Sequence, residues 1–286
     1  MAYNLKEFDE QTIAAFAPAE KIGLVASVNP DGLPHITLIT SIGAAGPKQV
    51  ILGEFCKGNS KSHIQKNPKI AFLVMTMDRK MWRGHATWTH LRQEGPEYET
   101  YNDLPMFRYN AYFGINTVHY LDLIDARGPD GLSMPKIILS ALMTKIAKGG
   151  AATGNNDRVL NVFGEDLFNR LDTLKFIAYI RDDGYPELVP ILQCQAADSR
   201  RLAFSTMAYG DELKKIEPGK MVSIFGLTMK MEDVMVRGTF KGTRRLRGIQ
   251  TGTVDIDWVY NSMPPAHGQI YPPIPLKPVT EWSDFE

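Results

Sequence analysis

Two segments of this chain, about 150 residues apart, carry the same turn. Asn29-Pro30-Asp31-Gly32-Leu33-Pro34 is answered by Arg181-Asp182-Asp183-Gly184-Tyr185-Pro186. An Asp-Gly pair between apolar runs signals a hairpin, because glycine takes the positive φ that tight turns demand. Further on, Trp82-Arg83-Gly84 is echoed by Val236-Arg237-Gly238. The first echo sets an offset of 152 residues and the second one of 154. Solenoid repeats run at roughly 20–50 residues, so a period this long means duplicated domains. Each half then serves as a control for the other.

Short strands dominate both halves. In the first, residues 9–16 read as a helix capped by Asp9. Strands follow at 23–28, 35–42 and 49–55, with 43–48 a loop. Residues 60–67 are helical and closed by Asn67-Pro68, since proline disfavours helix at the residue before it. Strands at 69–77 and 81–91 come next. The second half repeats this order at 176–181, 187–195, 201–206, 211–216 (helix), 221–227 and 235–240. Last strands are expected at 117–125 and 253–260. Pairing Val118 with Val254 gives an offset of 136, so the first half holds about eighteen extra residues near 93–111. That insertion carries Tyr98, Tyr101, Phe107, Tyr109 and Tyr112. It reads either as pocket lining or a lid, or as a cover for apolar surface. Helical sequence at 135–148 and 157–171 separates the halves. The expected architecture is mainly β: two tandem antiparallel barrels, each closed or nearly closed, with added helices. The expected domains are 1–134, a helical linker at 135–173, and 174–286 with a proline-rich tail.

Composition excludes some partners. Hydrophobic residues make up 44% of the 286 and charged residues 22%, the balance of a soluble globular protein. Basic and acidic side chains number 32 each. Nucleic acids and anionic membranes both select for a basic surplus, so neither is an expected partner. No apolar run reaches the roughly 18 residues of a membrane span. The first twenty residues lack the basic-then-apolar order of a leader, and the cytoplasm is the expected compartment. Cys56 and Cys194 stand alone and read as small semi-buried residues. His85 and His90 are five apart on one strand, hence on opposite faces, and no metal site is expected.

One segment carries chemistry: Glu54-Phe55-Cys56-Lys57-Gly58-Asn59-Ser60-Lys61-Ser62-His63-Ile64. A strand ends, a polar loop follows and a helix starts. Free backbone N–H groups at a helix start favour anions. Lys57, Lys61 and the nearby hydroxyls add charge and donors suited to a phosphate. An ordinary helix cap uses the same residue types. The equivalent segment of the second half has Asp211 and Glu212, which repel phosphate. That asymmetry fits one polar site per chain.

The ordered set over 21–91 resembles the pyridoxamine 5′-phosphate oxidase-like family of FMN-binding split barrels. It comprises strand, Asp-Gly-x-Pro, apolar-Thr strand, Ser-Lys loop, helix, Asn-Pro and Arg-Gly strand. The likeness is weaker over 174–243 and does not cover the linker, insertion or tail. It implies two barrels acting as an intramolecular pseudo-dimer with one principal FMN, a further homodimer remaining open. By the resemblance, Lys57, Ser60, Lys61 and Ser62 would hold the phosphate. Thr37, Leu38, Ile39, Thr40 and Ser41 would lie along the isoalloxazine ring as one strand. Trp82 and Arg83 would stand near the ring or serve the fold. The family often has arginine at the position of Thr37 and glutamine near Met81, and their absence speaks against oxidation of pyridoxamine phosphate itself. A flavin carries its own redox chemistry, so no catalytic triad is expected. The implied function is a flavin-dependent oxidoreductase working with a small-molecule or protein redox partner. The alternatives are a non-catalytic flavin carrier or electron-transfer protein, and a haem- or deazaflavin-binding barrel.

Overall fold

The computed structural model describes residues 3–54, 58–103, 114–154, 157–261 and 268–273. The chain forms two compact units. The first is Met1–Leu132 together with Ile180–Leu188, and the second is Ser133–Tyr179 together with Val189–Glu286. Among the described residues no helix is long and apolar enough to cross a membrane.

The first unit opens with α1, Glu10–Phe16. The Asp9 carboxylate accepts from the Thr12 N–H at 2.8 Å, the cap its position implies. There follow β1 (Lys21–Val28), β2 (Pro34–Leu38), β3 (Gly43–Gly46), β4 (Gln49–Glu54), α2 (Asn59–Lys66), β5 (Lys69–Thr76), β6 (Lys80–Arg92), α3 (Pro96–Asp103) and β7 (Thr117–Gly131). Antiparallel pairing runs in the order β2-β1-β5-β6-β7-β4-β3. Val25, Leu52, Phe72, Trp82 and Leu121, from five different strands, enter one buried cluster. A sheet with five of its seven strands feeding one core curls around it. Its edge strands β2 and β3 do not pair with each other, so the barrel is split.

The second unit has α4 (Met134–Lys148), α5 (Val162–Asn169), β8 (Leu174–Ile180), β9 (Pro186–Pro190), β10 (Gln195–Asp198), β11 (Arg201–Ser205), α6 (Gly210–Leu213), β12 (Met221–Leu227), β13 (Asp233–Leu246), β14 (Ile249–Asn261) and β15 (Gly268–Tyr271). Its sheet order is β9-β8-β12-β13-β14-β11-β10, with β15 added on β14. Strand for strand, this is the order of the first unit. The helical segment expected over 135–173 falls within the second unit. α4 packs on β10, β11 and β14, and α5 on β10, β12 and β13.

Pairing register corrects the alignment of the halves. Gly32 (φ +75°) and Gly184 (φ +82°) occupy the same turn position. Ile22 pairs with Met75 as Leu174 pairs with Leu227. Lys69 pairs with Thr87 as Met221 pairs with Thr239. Every one of these residues keeps the 152 offset. Arg237 therefore corresponds to His85, not to Arg83, and the Arg-Gly echo lies two residues out of register. Past β6, Leu121 pairs with Val50 as Val254 pairs with Leu202. The offset there is 133, so the insertion is nineteen residues and Val254 matches Leu121 instead of Val118. The inserted helix is α3. Phe107, Tyr109 and Tyr112 lie outside the described residues, as do Cys56, Lys57 and the tail beyond residue 273.

Both long strands bulge at the same place, between His85 and Ala86 in β6 and between Arg237 and Gly238 in β13. Next to the first bulge, a Cβ on Gly84 would stand 2.4 Å from the Asp125 carbonyl oxygen and 2.5 Å from Phe72 Cζ. Neither backbone nor a core ring can give way freely. Gly84→Ala is expected to cost about 1–3 kcal/mol. Urea unfolding reads this directly, and an unchanged midpoint would refute the steric account.

Candidate functional site

α2 packs across β1 and β2, the strand after the Asp-Gly turn. Beneath it, Ser27 Oγ lies 3.3 Å from His63 Nδ1, and the His35 and His63 rings meet edge to face at 5.0 Å. Gly58 is the N-cap residue, extended and without a side chain to cap the first turn. The leading N–H groups of the helix thus have no side-chain cap.

Two predicted residues share an unusual state here. Thr37 Oγ1 on β2 and Ser60 Oγ on α2 are both buried and make no hydrogen bond among the described residues. Buried hydroxyls are ordinarily paired, because an unmet one costs about 1–3 kcal/mol. Lys61 is also buried. Ser62 points elsewhere: it is exposed and its hydroxyl donates to the Asn59 carbonyl at 2.9 Å. In the second unit the equivalent helix α6 is a single turn led by Asp211 and Glu212. Asp211 is fully solvated.

The expected strand over 37–41 is cut short. β2 ends at Leu38, and the Ile42 N–H donates to the Ile39 carbonyl at 3.2 Å, so Ile39, Thr40 and Ser41 form a turn. Ser41 Oγ ties that turn to β4 by donating to the Gly53 carbonyl at 2.6 Å. Gln193 does the same in the second unit, donating to the Ser205 carbonyl at 2.8 Å. β3 then starts where a loop was expected.

Thr40 and Ser41 face a cavity of about 350 Å³ bounded by α1, this turn and α3. Four of its polar residues, Lys21, Glu97, Thr100 and Tyr101, come from outside the predicted set, and two of them stand out. Tyr101, on the aromatic insertion, is buried and donates its hydroxyl to the Ser41 carbonyl. Burial pushes the Tyr101 phenol far above its ordinary range, so the group stays neutral. Lys21 at the start of β1 is the second. A lysine opening a strand gives no signal in sequence, whereas the tyrosine-rich insertion did.

Trp82 and Arg83 are not brought to this region. Trp82 lies in the core, its ring edge-on to Phe16 at 5.6 Å. Arg83 is buried and donates from Nη1 to the Leu188 carbonyl at 2.9 Å, on the hairpin tip that completes the first unit. Beside it is an ionic cluster. His85 Nδ1 lies 2.6 Å from Asp125 Oδ1, and its Nε2 lies 3.4 Å from Glu187 Oε2. Arg181 Nη1 stands 3.5 Å from the same Glu187 oxygen, and the Tyr3 hydroxyl donates to Glu187 Oε1. Burial works to lower the His85 pKa, but the two carboxylates outweigh it and raise it. Burial works to raise that of Glu187, and His85, Tyr3 and Arg181 together lower it. A further buried contact joins Trp88 Nε1 to His119 Nδ1 at 3.2 Å and His119 Nε2 to Glu54 at 2.7 Å. Among the described residues no group of three or more His, Cys, Asp or Glu is set to hold a metal ion. Cys194 is a free buried thiol, pushed by burial up to about 12.

No family model matches the chain, and no curated protein matches it. Solved structures similar to part of it include an FMN-binding protein from Syntrophomonas wolfei subsp. wolfei. That likeness has 16% identity and a TM-score of 0.36, over 41% of this chain and 83% of that one. HupZ of Group A Streptococcus is 20% identical, with a TM-score of 0.34 over 42% of this chain and 91% of its own. An F420 reductase is 16% identical, with a TM-score of 0.34 over 42% of this chain and 98% of its own. Each likeness spans less than half of this chain.

Proposed function

We propose that the chain is a flavin-binding oxidoreductase whose principal FMN site has its phosphate end at α2 of the first unit. The observation that carries this reading is the pair of buried, unpartnered hydroxyls of Thr37 and Ser60. They sit on two elements packed together, and the residue after Ser60 is the buried Lys61. A phosphate offers acceptor oxygens to both hydroxyls and a counter-charge to the lysine. The uncapped N–H groups of α2 add donors of the same kind. These residues fit a phosphorylated cofactor, and the acidic start of α6 does not.

When bound, the flavin supplies the electron-transfer chemistry. The chain's residues hold and orient it. Thr37, Ser60 and Lys61 anchor the phosphate, and the backbone from Leu38 to Ser41 offers polar groups to the ring edge. Lys57 and Ser62 complete the anchor in this reading, Ser62 after turning its hydroxyl from Asn59. The electron partner is a small molecule or another protein.

Incubation with FMN followed by desalting tests the proposal. Retained flavin absorbance at one equivalent per chain is expected. Protein that stays colourless would overturn it, and retention of a deazaflavin in place of FMN would move the assignment to that cofactor.

A further inference from the structure

The cavity bounded by α1 and α3 carries a buried lysine, Lys21, without a counter-charge among the described residues. Lys21 is only 8% exposed. Its Nζ donates to the Pro18 carbonyl at 2.6 Å. Among the described residues no carboxylate lies within ion-pair distance of it. The second unit shows how a buried lysine is ordinarily satisfied: Lys175 Nζ donates to two carbonyls, of Arg170 at 2.7 Å and of Leu192 at 3.4 Å. Lys21 has one such bond and lines the cavity.

The remaining walls define what that space accepts. Ile13, Phe16, Ala17, Ile42 and Ile51 make it largely apolar. Its other ionisable groups, Glu97 and Tyr101, both stand on α3, and both are engaged. Glu97 accepts from the Tyr120 hydroxyl at 2.9 Å, and Tyr101 donates to the Ser41 carbonyl. Ser41 and Thr100 likewise spend their hydroxyls on backbone carbonyls. A buried charge without a counter-charge is costly, and an apolar pocket with one convergent polar group is the usual form of a small-molecule site. About 350 Å³ lies at the small end of such sites.

We infer that this cavity binds a small monocarboxylate with a flat apolar body, its carboxylate on Lys21 Nζ and its body against Phe16, Ile42 and Ile51. The site borders the flavin cradle at Thr40 and Ser41 but does not require a flavin. Burial alone brings the Lys21 ammonium down to about 8. An arriving carboxylate restores the proton's hold, so binding takes up protons above that pH.

Calorimetric titration of the full chain with benzoate, without added FMN, tests the inference. Benzoate is expected to bind, with benzamide, its uncharged counterpart, at least about tenfold weaker. Lys21→Met should weaken benzoate by a similar factor while melting normally and still taking up FMN, and Lys21→Arg should restore part of the affinity. Affinity should also fall by about tenfold per pH unit above about 8. Equal binding of benzoate and benzamide, or a Lys21→Met protein that binds like the parent, would overturn the inference. So would mutual displacement of benzoate and FMN, which would make the cavity part of the flavin pocket. Failure of FMN binding with benzoate binding intact would remove the flavin reading alone.

Discussion

Replacement of His85 by leucine is expected to destabilise the first unit by about 3–5 kcal/mol, the range for removing one partner of a buried ion pair. The His85 side chain is 2% exposed, and those of Asp125 and Glu187 are 18% and 9% exposed. Leucine fills the space but leaves both carboxylates without their shared cation. Arg181, a third exposed, compensates only in part because water screens it. The pH dependence separates ion pairing from packing. The His85 pKa is raised in the fold, so its contribution is complete below the unfolded value of 6.5 and is lost as pH rises through the folded value. That of Glu187 is lowered, so its contribution is complete above 4.5 and is lost as pH falls through the folded value. The cluster is therefore strongest between those two values. Urea unfolding of parent and His85→Leu should differ more at about pH 5.5 than at about pH 8.5. An equal difference at both would mean that shape, and not charge, is what the leucine disturbs.

The second large effect concerns the cofactor. Lys61→Glu is expected to weaken FMN binding by about tenfold to a hundredfold, the span of a charge-assisted hydrogen bond worth roughly 1.5–3 kcal/mol. A control change in the second unit, Lys215→Glu just after the acidic α6, should leave the affinity where it was. Quenching of flavin fluorescence gives both dissociation constants. A Lys61→Glu protein that melts normally and binds FMN as tightly as the parent would end the case for a phosphate cradle at α2.

Local chemistry made much of the fold legible. Gly32 and Gly184 require positive φ, which the Asp-Gly pairs announced, and the Asp9 cap follows from its side chain alone. Where composition misled, the backbone explains why. Ile39, Thr40 and Ser41 look like strand because two of them are β-branched, yet they turn to let Ser41 reach the Gly53 carbonyl. Gly43–Gly46 has no β-branched residue and still pairs with β4, because strand pairing needs only backbone groups. The Arg-Gly echo slipped by two because residue identity is a weaker guide to register than the ladder itself. Of the site, Ser60 stood out through the helix-start pattern, whereas Thr37 came only with the family resemblance. The His85 cluster left no trace in sequence, since it joins residues 3, 85, 125, 181 and 187 and exists only after tertiary folding.

The Ile180–Leu188 tip has a consequence for how the protein is made. Leu188, whose carbonyl receives Arg83, is synthesised fifty-six residues after Leu132. At roughly 5–20 residues per second, that is on the order of 3–11 s of translation. Throughout that interval the nascent first barrel has its seven strands but not its last segment, and the imidazole of His85 waits without Glu187. Completion of the earlier-made half thus depends on the arrival of the later-made one.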